Sequence, residues 1–241
     1  MEEEKIHSEA SNLILQPTKI IQNPYEDIAD LQNNVFNFTF PVCLVWLEQK
    51  GKMLFGDHFS IFREDHELIF KLLVYAIGDV ENTIRHNLSM KKGILLSGPV
   101  GCGKTSLVTL IKPFFAVDKQ YAIKSVREIA FEFEKEGFLV ISRYCNLAFC
   151  SSPYSRINKA FCFDDLGIEQ PMKYYGNQCN VMAEILLSRY DQFIRKGILT
   201  HITTNLSASE LESMYGSRLR SRMREMFNLV TFEKGAKDKR L

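Results

Sequence analysis

The stretch Gly98-Pro99-Val100-Gly101-Cys102-Gly103-Lys104-Thr105 decides the fold of this chain. Its pattern is G-x-x-x-x-G-K-T, a glycine-rich turn whose backbone amides point inward at a phosphate. The apolar segment 94–97 before it is typical of a buried strand, and residues 105–112 after it predict a helix. Because this motif binds nucleotides when it joins a strand to a helix, we predict a nucleoside triphosphate site here.

Each residue of the motif has an expected role. The loop amides and the positive end of the helix dipole attract the phosphates, and Lys104 reaches the β- and γ-phosphates. The Thr105 hydroxyl is expected to bind Mg²⁺. The residues expected to hold the nucleotide are Gly98, Pro99, Val100, Gly101, Cys102, Gly103, Lys104, Thr105 and Ser106.

The composition is that of an ordinary globular protein. The 241 residues are 46% hydrophobic and 24% charged, and the net charge is +1, so no global field directs the chain to nucleic acid or to a membrane. The length suits one α/β domain of about 170 residues after a smaller N-terminal part. We expect an N-terminal arm or small partner-docking region at residues 1–60 and the α/β domain at residues 61–241.

The cysteines and the apolar runs bear on the cellular location. The six cysteines form no C-x-x-C pair, which predicts reduced thiols and neither a disulfide framework nor a zinc site. The acidic segment Met1–Lys5 is not that of a signal peptide. No apolar run approaches the roughly 18 residues that a membrane span needs. We therefore expect a cytoplasmic protein with no membrane partner.

Strand and helix patterns alternate after the phosphate loop. The predicted elements are strands at 121–124, 159–163, 197–204 and 227–232 and helices at 126–136 and 181–196. Such alternation predicts a three-layer α/β domain with a parallel central sheet. Before the loop, residues 65–87 have the spacing of one amphipathic helix, and the apolar alternation within residues 35–60 favours a strand or an extended docking segment.

Two carboxylates follow the predicted strand 159–163. Asp164 and Asp165 would lie at the carboxyl end of a parallel strand, where ligands bind in α/β sheets. We expect Asp164 to hold Mg²⁺, directly or through water, and Asp165 to activate or orient the attacking water. Because Asp is shorter than Glu, we expect slow turnover.

A neutral amide follows the next strand. Asn205 is expected to hydrogen-bond the γ-phosphate or to position water beside Asp165, with Thr203 and Thr204 as alternatives. An Asn after a strand is more often a turn or helix-cap residue, and residues 207–210 also predict a helix start. The phosphate loop and the acidic pair nevertheless favour the catalytic role.

Four arginines stand at every second position from Arg218 to Arg224. On a helix, Arg218 and Arg222 share one face. One of these two is expected to act as an arginine finger for a nucleotide bound by a neighbouring subunit. Arg220 and Arg224 are expected to form a solvated basic face, and contact with nucleic-acid phosphates is a further use of the array.

These elements together resemble the AAA+ ATPases, and among them the DnaC-like helicase loaders and IstB-like transposition helpers. The resemblance covers residues 65–241. Residues 164–169, Asp-Asp-Leu-Gly-Ile-Glu, are similar to the Walker B segment of that group. Residues 203–206 are similar to its sensor 1 segment, with that role carried to Asn205, and residues 215–223 to its box VII, in which Arg222 matches the finger best.

The resemblance implies an ATPase that converts ATP to ADP and phosphate with Mg²⁺, using Lys104, Asp165, Asn205 and Arg222 as catalytic residues. It implies a homo-oligomer with shared sites, acting in replication or transposition with single-stranded DNA and a helicase or transposase as partners. Only about 19 residues follow Arg222, so the C-terminal helical lid of AAA+ proteins is expected to be missing or vestigial.

Two other functions stay open. A small-molecule kinase on the same scaffold needs an acceptor pocket and an arginine-bearing lid, which the sequence does not show. The acidic pair with Asn205 also suits water activation better. A non-hydrolysing nucleotide switch or adaptor stays open because Asp165 stands where Glu is commoner.

Overall fold

A computed structural model describes residues 28–32, 35–145, 149–152, 155–158, 160–169, 172–174, 177–233 and 235–239. The chain divides into two compact units, residues 1–46 and 47–241. The expected arm falls mainly on residues 1–27, which lie outside the described residues. The domain boundary near residue 60 stays a prediction.

The described elements follow one another in a mixed α/β order. The α-helices are α1 Phe40–Phe55, α2 His66–Ile77, α3 Val80–Arg85, α4 Lys104–Ile111, α5 Val126–Glu136, α6 Phe138–Cys145, α7 Val181–Lys196 and α8 Ala208–Met226. The strands are β1 Ala29–Gln32, β2 Val35–Phe38, β3 Gly93–Ser97, β4 Tyr121–Ser125, β5 Phe149–Ser152, β6 Ser155–Asn158, β7 Ala160–Leu166, β8 Met172–Tyr174, β9 Asn177–Cys179, β10 Thr200–Thr204 and β11 Phe227–Thr231. Short 3₁₀ turns lie at Arg63–Asp65, Lys112–Phe114 and Val117–Lys119.

Five strands form the sheet of the second unit, in the order β11-β3-β10-β7-β4. All neighbouring pairs are parallel. The strand before the phosphate loop, β3, lies between β11 and β10, and β10 separates it from the acidic strand β7. The carboxyl ends of β3, β10 and β7 therefore meet at one edge, and the loops that follow them converge there. Antiparallel hairpins pair β1 with β2, β5 with β6 and β8 with β9.

Helices cover both faces of this sheet. On one face, Leu95, Phe163 and Ile202 belong to an apolar core with buried residues of α5, α6, α7 and α8. On the other face α2 packs against α4. The Tyr75 hydroxyl there donates to the Lys92 carbonyl at 2.6 Å. The predicted three-layer α/β fold with a parallel sheet is thus confirmed. The described residues after β11 contain no helix, and the expectation of a missing or vestigial lid stays a prediction.

Two predicted elements are wrong in detail. Residues 65–87 form two helices, because Gly78 takes a φ of 81° and ends α2. Helix α3 then begins after Asp79, whose carboxylate accepts a hydrogen bond from the Asn82 amide at 3.0 Å. The extended prediction for residues 35–60 holds only for β2. Residues Cys43 and Leu47 are buried four positions apart, which is the spacing of helix α1 and not of a strand.

Candidate functional site

The phosphate loop joins β3 to α4 in a shape that depends on its glycines. Gly101 and Gly103 have φ angles of 80° and 97°, which other residues rarely adopt. A Cβ on Gly98 would lie 2.8 Å from Cβ of Phe232, so only glycine fits there without a shift. Helix α4 begins at Lys104, and its first free amides therefore open at the loop.

Lys104 lies against this loop and is 5% exposed. Its ammonium donates to the Gly98 carbonyl at 2.9 Å and to the Pro99 carbonyl at 2.8 Å. Cys102 is buried beneath, and burial raises the pKa of its thiol. A thiol held protonated fills space and does not act as a nucleophile.

A hydrogen-bond chain links Thr105 to the acidic strand. The Thr105 hydroxyl lies 3.1 and 2.9 Å from the two carboxylate oxygens of Asp164 and donates to this group. The Thr203 hydroxyl, on β10, donates to the same carboxylate at 2.6 Å and accepts from the Asp165 amide at 2.8 Å. Burial raises the pKa of Asp164, and the two threonine hydrogen bonds oppose that shift.

Asp165 occupies a bulge in β7. Ile202 pairs with Phe163 and Thr204 with Leu166, so β7 carries one extra residue between these pairs. Asp165 takes a left-handed φ of 60°, which Asp tolerates better than most residues. A bulge re-aims one side chain of a strand. Here Asp164 stays buried against Thr105 while Asp165 faces the cleft.

These loops enclose a cleft of about 380 Å³. The residues lining it are Phe55, His58, Phe59, Ser60, Val100, Gly101, Gly103, Lys104, Thr105, Ser106, Asp165, Ile168, Asn205 and Lys239. The cleft thus brings together Lys104, Thr105, Asp165 and Asn205, which the sequence places far apart. Among the other predicted site residues, Gly98, Pro99, Cys102 and Asp164 do not line it, and the Asp164 carboxylate is joined to it through Thr105.

The donor set fits a magnesium ion. Mg²⁺ prefers oxygen ligands and in phosphate sites uses one or two protein groups together with phosphates and water. The Thr105 hydroxyl and the Asp164 carboxylate are already within 2.9 Å of each other. Among the described residues, no group of three His, Cys, Asp or Glu side chains converges to form a protein-only metal site.

Several residues that line the cleft belong to none of the sequence motifs. Phe55 and Phe59, with ring centroids 5.5 Å apart, and His58 line the cleft together with the phosphate loop. Aromatic rings of this kind suit stacking with a base. Lys239, near the end of the described residues, also lines the cleft and belongs to no motif. The positions of all four depend on tertiary packing, so no sequence signal would have found them.

The predicted arginine fingers lie elsewhere in the second unit. Neither Arg218 nor Arg222 lines the cleft. The Arg222 guanidinium lies over the Tyr190 ring, 4.6 Å from its centroid, and the Tyr190 hydroxyl donates to Glu225 at 2.9 Å. Within its own chain Arg222 is therefore held on α8 by α7. A finger role in a neighbouring subunit stays a prediction.

Fold and site together define the class of this chain. A parallel sheet, a glycine loop that opens a helix, and a carboxylate on a nearby strand make an α/β fold of the P-loop NTPase type. The assignment rests on the strand order and loop geometry of the chain itself.

Solved structures with similar folds include helicase loaders and replication initiators. The DnaC helicase loader is 17% identical with a TM-score of 0.48, covering 72% of this chain and 92% of that one. DnaI is 21% identical with a TM-score of 0.42, covering 66% and 84%. AMPPCP-bound DnaA from Aquifex aeolicus is 16% identical with a TM-score of 0.47, covering 72% of this chain and 48% of that one.

Neither a family model nor a curated protein matches the chain. Within the described residues, no helix is long and apolar enough to cross a membrane.

Proposed function

We propose that the chain binds ATP with Mg²⁺ in this cleft and hydrolyses it to ADP and phosphate. One observation carries the proposal: the start of α4, the end of β7 and the residue after β10 bring Lys104, Thr105, Asp165 and Asn205 to one cleft. A phosphate loop alone accounts for binding. Hydrolysis also requires groups that position the attacking water, and we assign that task to the Asp165 carboxylate and the Asn205 amide.

Each group has a task in the proposed reaction. Lys104 and the loop amides bind the β- and γ-phosphates. Thr105 and Asp164 would hold Mg²⁺, which when bound would supply positive charge against the phosphate oxygens. Asp165 accepts a hydrogen bond from the attacking water, which Asn205 helps to position. The water oxygen then attacks the γ-phosphorus as the bond to the β–γ bridging oxygen breaks, the water proton passes to the Asp165 carboxylate, and ADP leaves with the bridging oxygen.

We propose that an arginine on helix α8 of a neighbouring subunit completes the site. Since neither Arg218 nor Arg222 lines the cleft of its own chain, we place one of them, Arg222, in the site of the next subunit. Such a finger stabilises charge on the transferred phosphoryl group and contributes about a thousandfold or more in rate. Turnover would then require a homo-oligomer.

The proposal also includes a biological role for the ATPase. The sequence resemblance to DnaC-like loaders and IstB-like helpers supports an ATPase that acts on single-stranded DNA or on a helicase or transposase partner. Hydrolysis would switch the oligomer between states that hold and release that partner.

Mixing two inactive variants tests the shared site. Asp165→Asn removes the water-binding carboxylate, and Arg222→Ala removes the finger, so each alone should lose ATP turnover by about a thousandfold. In an equal mixture, about a quarter of the interfaces pair an intact Asp165 with an intact Arg222, and activity should return to about that level.

The controls separate the parts of the proposal. Arg224→Ala, on the same helix but outside the expected finger face, should keep wild-type turnover. No recovery on mixing would contradict the shared site, and so would an Arg222→Ala variant that is as active as wild type. Turnover that is flat with protein concentration would indicate a self-contained site of the kinase kind.

A further inference from the structure

The segment 235–239 lies on the phosphate loop. The Lys239 amide donates to the Gly101 carbonyl at 3.0 Å. A Cβ on Gly101 would lie 2.2 Å from the carboxyl carbon of Asp238, which shows how closely this segment approaches the turn. The Lys239 side chain lines the same cleft as Lys104. A part of the chain far from the motif in sequence thus belongs to the wall of the nucleotide cleft.

The Lys239 side chain is held in one place. Its ammonium forms an ion pair with Asp65, and the two side chains are only 13% and 10% exposed. The ammonium also lies 5.3 Å from the ring centroid of Phe62 and 5.0 Å from that of Phe232. Aromatic faces attract a cation without cancelling its charge. The site therefore keeps a largely desolvated ammonium at the loop, and among the described residues its ion-pair partner is the Asp65 carboxylate.

The ammonium groups of two lysines both lie near Cys102 of the phosphate loop. The charges of Lys104 and Lys239 both oppose the rise in the pKa of the Cys102 thiol, so both ammonium groups lie within electrostatic reach of that residue. The P-loop motif explains one of these charges. It does not explain why the cleft has a second.

We propose that Lys239 is a second lysine ligand of the polyphosphate in this cleft. This inference rests on the proposed nucleotide site and adds a residue to it. In the absence of nucleotide, Asp65 balances the ammonium. A bound triphosphate carries several negative charges and competes with one carboxylate for it. In this proposal, Asp65 holds the Lys239 side chain beside the phosphate loop until nucleotide binds.

A purely structural reading of the ion pair makes a different prediction. If Lys239 and Asp65 only fasten the C-terminal segment, loss of either partner should have the same effect on nucleotide binding. If Lys239 binds phosphate, loss of Asp65 frees its charge for the nucleotide. The two variants then have opposite effects.

The test measures binding of a non-hydrolysable ATP analogue with Mg²⁺ to the full chain by calorimetry. Lys239→Met, which keeps the apolar stem, should raise Kd about tenfold or more, and Lys239→Arg should restore affinity. Asp65→Asn should leave Kd unchanged or lower it. The matched control Lys237→Met, an exposed lysine of the same segment, should match wild type. Thermal melts identify any variant that is not folded.

Each contrary outcome has one meaning. Wild-type binding in Lys239→Met overturns the inference and leaves the proposed function standing. Equal weakening by Lys239→Met and Asp65→Asn overturns it in favour of a structural fastening. If wild type binds no more analogue than Lys104→Ala, the proposed function fails, and this inference with it.

Discussion

Thr203 is the residue that contacts both acidic residues of the site, through the side chain of Asp164 and the backbone of Asp165. Its hydroxyl donates to the Asp164 carboxylate and accepts from the Asp165 amide, and the residue is fully buried. One hydroxyl thus fixes the buried carboxylate and the backbone of the bulge. It links Asp164, the proposed magnesium ligand, to Asp165, the proposed water-binding residue.

Thr203→Val should therefore cost more than the loss of one hydrogen bond. The Asp165 amide and a buried carboxylate would both lose a partner, and we expect the free energy of unfolding to fall by about 1–3 kcal/mol. Denaturant titration measures this change. Thr203→Ser keeps the hydroxyl and should recover most of the loss. If Val and Ser behave alike, the hydroxyl has no such role.

At the residue scale, sequence predicts what depends on neighbours along the chain. The P-loop residues and the acidic pair lie in local motifs. Their expected roles can therefore be predicted from the sequence. Thr203 is visible only as an alternative to Asn205, because its task depends on a bulge in β7. Lys239 has no local signal at all.

Helix α8 contains a break at Gly216. This residue has a φ of 84° and a ψ of 157°, a conformation that is essentially restricted to glycine. It separates the half that begins at the Ser207 cap from the half with the arginines. Just before it, the Tyr215 hydroxyl donates to the buried Glu169 carboxylate, which accepts from the Gly167 amide at 2.9 Å. The break thus sets the direction of the arginine half relative to the acidic strand.

Gly216→Ala should destabilise the chain by about 1–3 kcal/mol through backbone strain alone. A Cβ there would meet nothing within 4 Å, so no steric clash contributes. Gly197→Ala is a matched control, since that site is equally open but has a milder left-handed conformation, φ 65° and ψ 24°. Chemical denaturation should show the larger loss at Gly216. Equal losses would contradict the argument from ψ.

At the element scale, sequence pattern predicts interiors better than ends and breaks. Helices α5 and α7 match their predicted ranges, because caps and apolar spacing agree there. The Gly78 and Gly216 breaks depend on a backbone angle, which glycine permits without requiring. A single residue, Gly137, separates the end of α5 from the start of α6. The sequence pattern did not predict helix α6.

For the whole molecule, one buried histidine links folding to pH. His201 on β10 accepts a hydrogen bond from the Ile94 amide at 3.2 Å and packs against Tyr75, Phe115 and Tyr121. Its other ring nitrogen, Nε2, is buried and has no hydrogen-bond partner among the residues that the structure describes. Burial, with a smaller contribution from Arg189, lowers the pKa of His201 from 6.5 to about 3.

Stability should fall as the pH drops below about 6.5. The unfolded chain then takes up a proton at His201 that the folded chain does not, so unfolding is favoured until the pH nears the folded pKa of about 3. The contribution is about 1.4 kcal/mol per pH unit. Denaturation of His201→Asn between pH 6 and pH 4 should show a slope that is shallower by about this amount. A variant slope equal to that of wild type would contradict this role of His201.

The sheet order was beyond reach of pattern analysis. Alternating strands and helices predict parallel strands, but they do not say that β10 lies between β3 and β7. That placement comes from which apolar faces fit together, a property of the packed core. It is also what brings Asn205 to the cleft.

The last strand has a consequence for the order in which the molecule is made. Strand β11 pairs along the whole of β3, from Phe227 opposite Gly93 to Thr231 opposite Ser97, and the Asn228 side chain clasps the backbone of Ser89, Lys92 and Gly93. On the ribosome, which releases the chain from its N-terminal end, the motif emerges more than a hundred residues before these partners. The nascent chain would therefore carry its phosphate loop without the support of β11 while more than a hundred further residues are added, and the cleft would be completed only after that strand emerges.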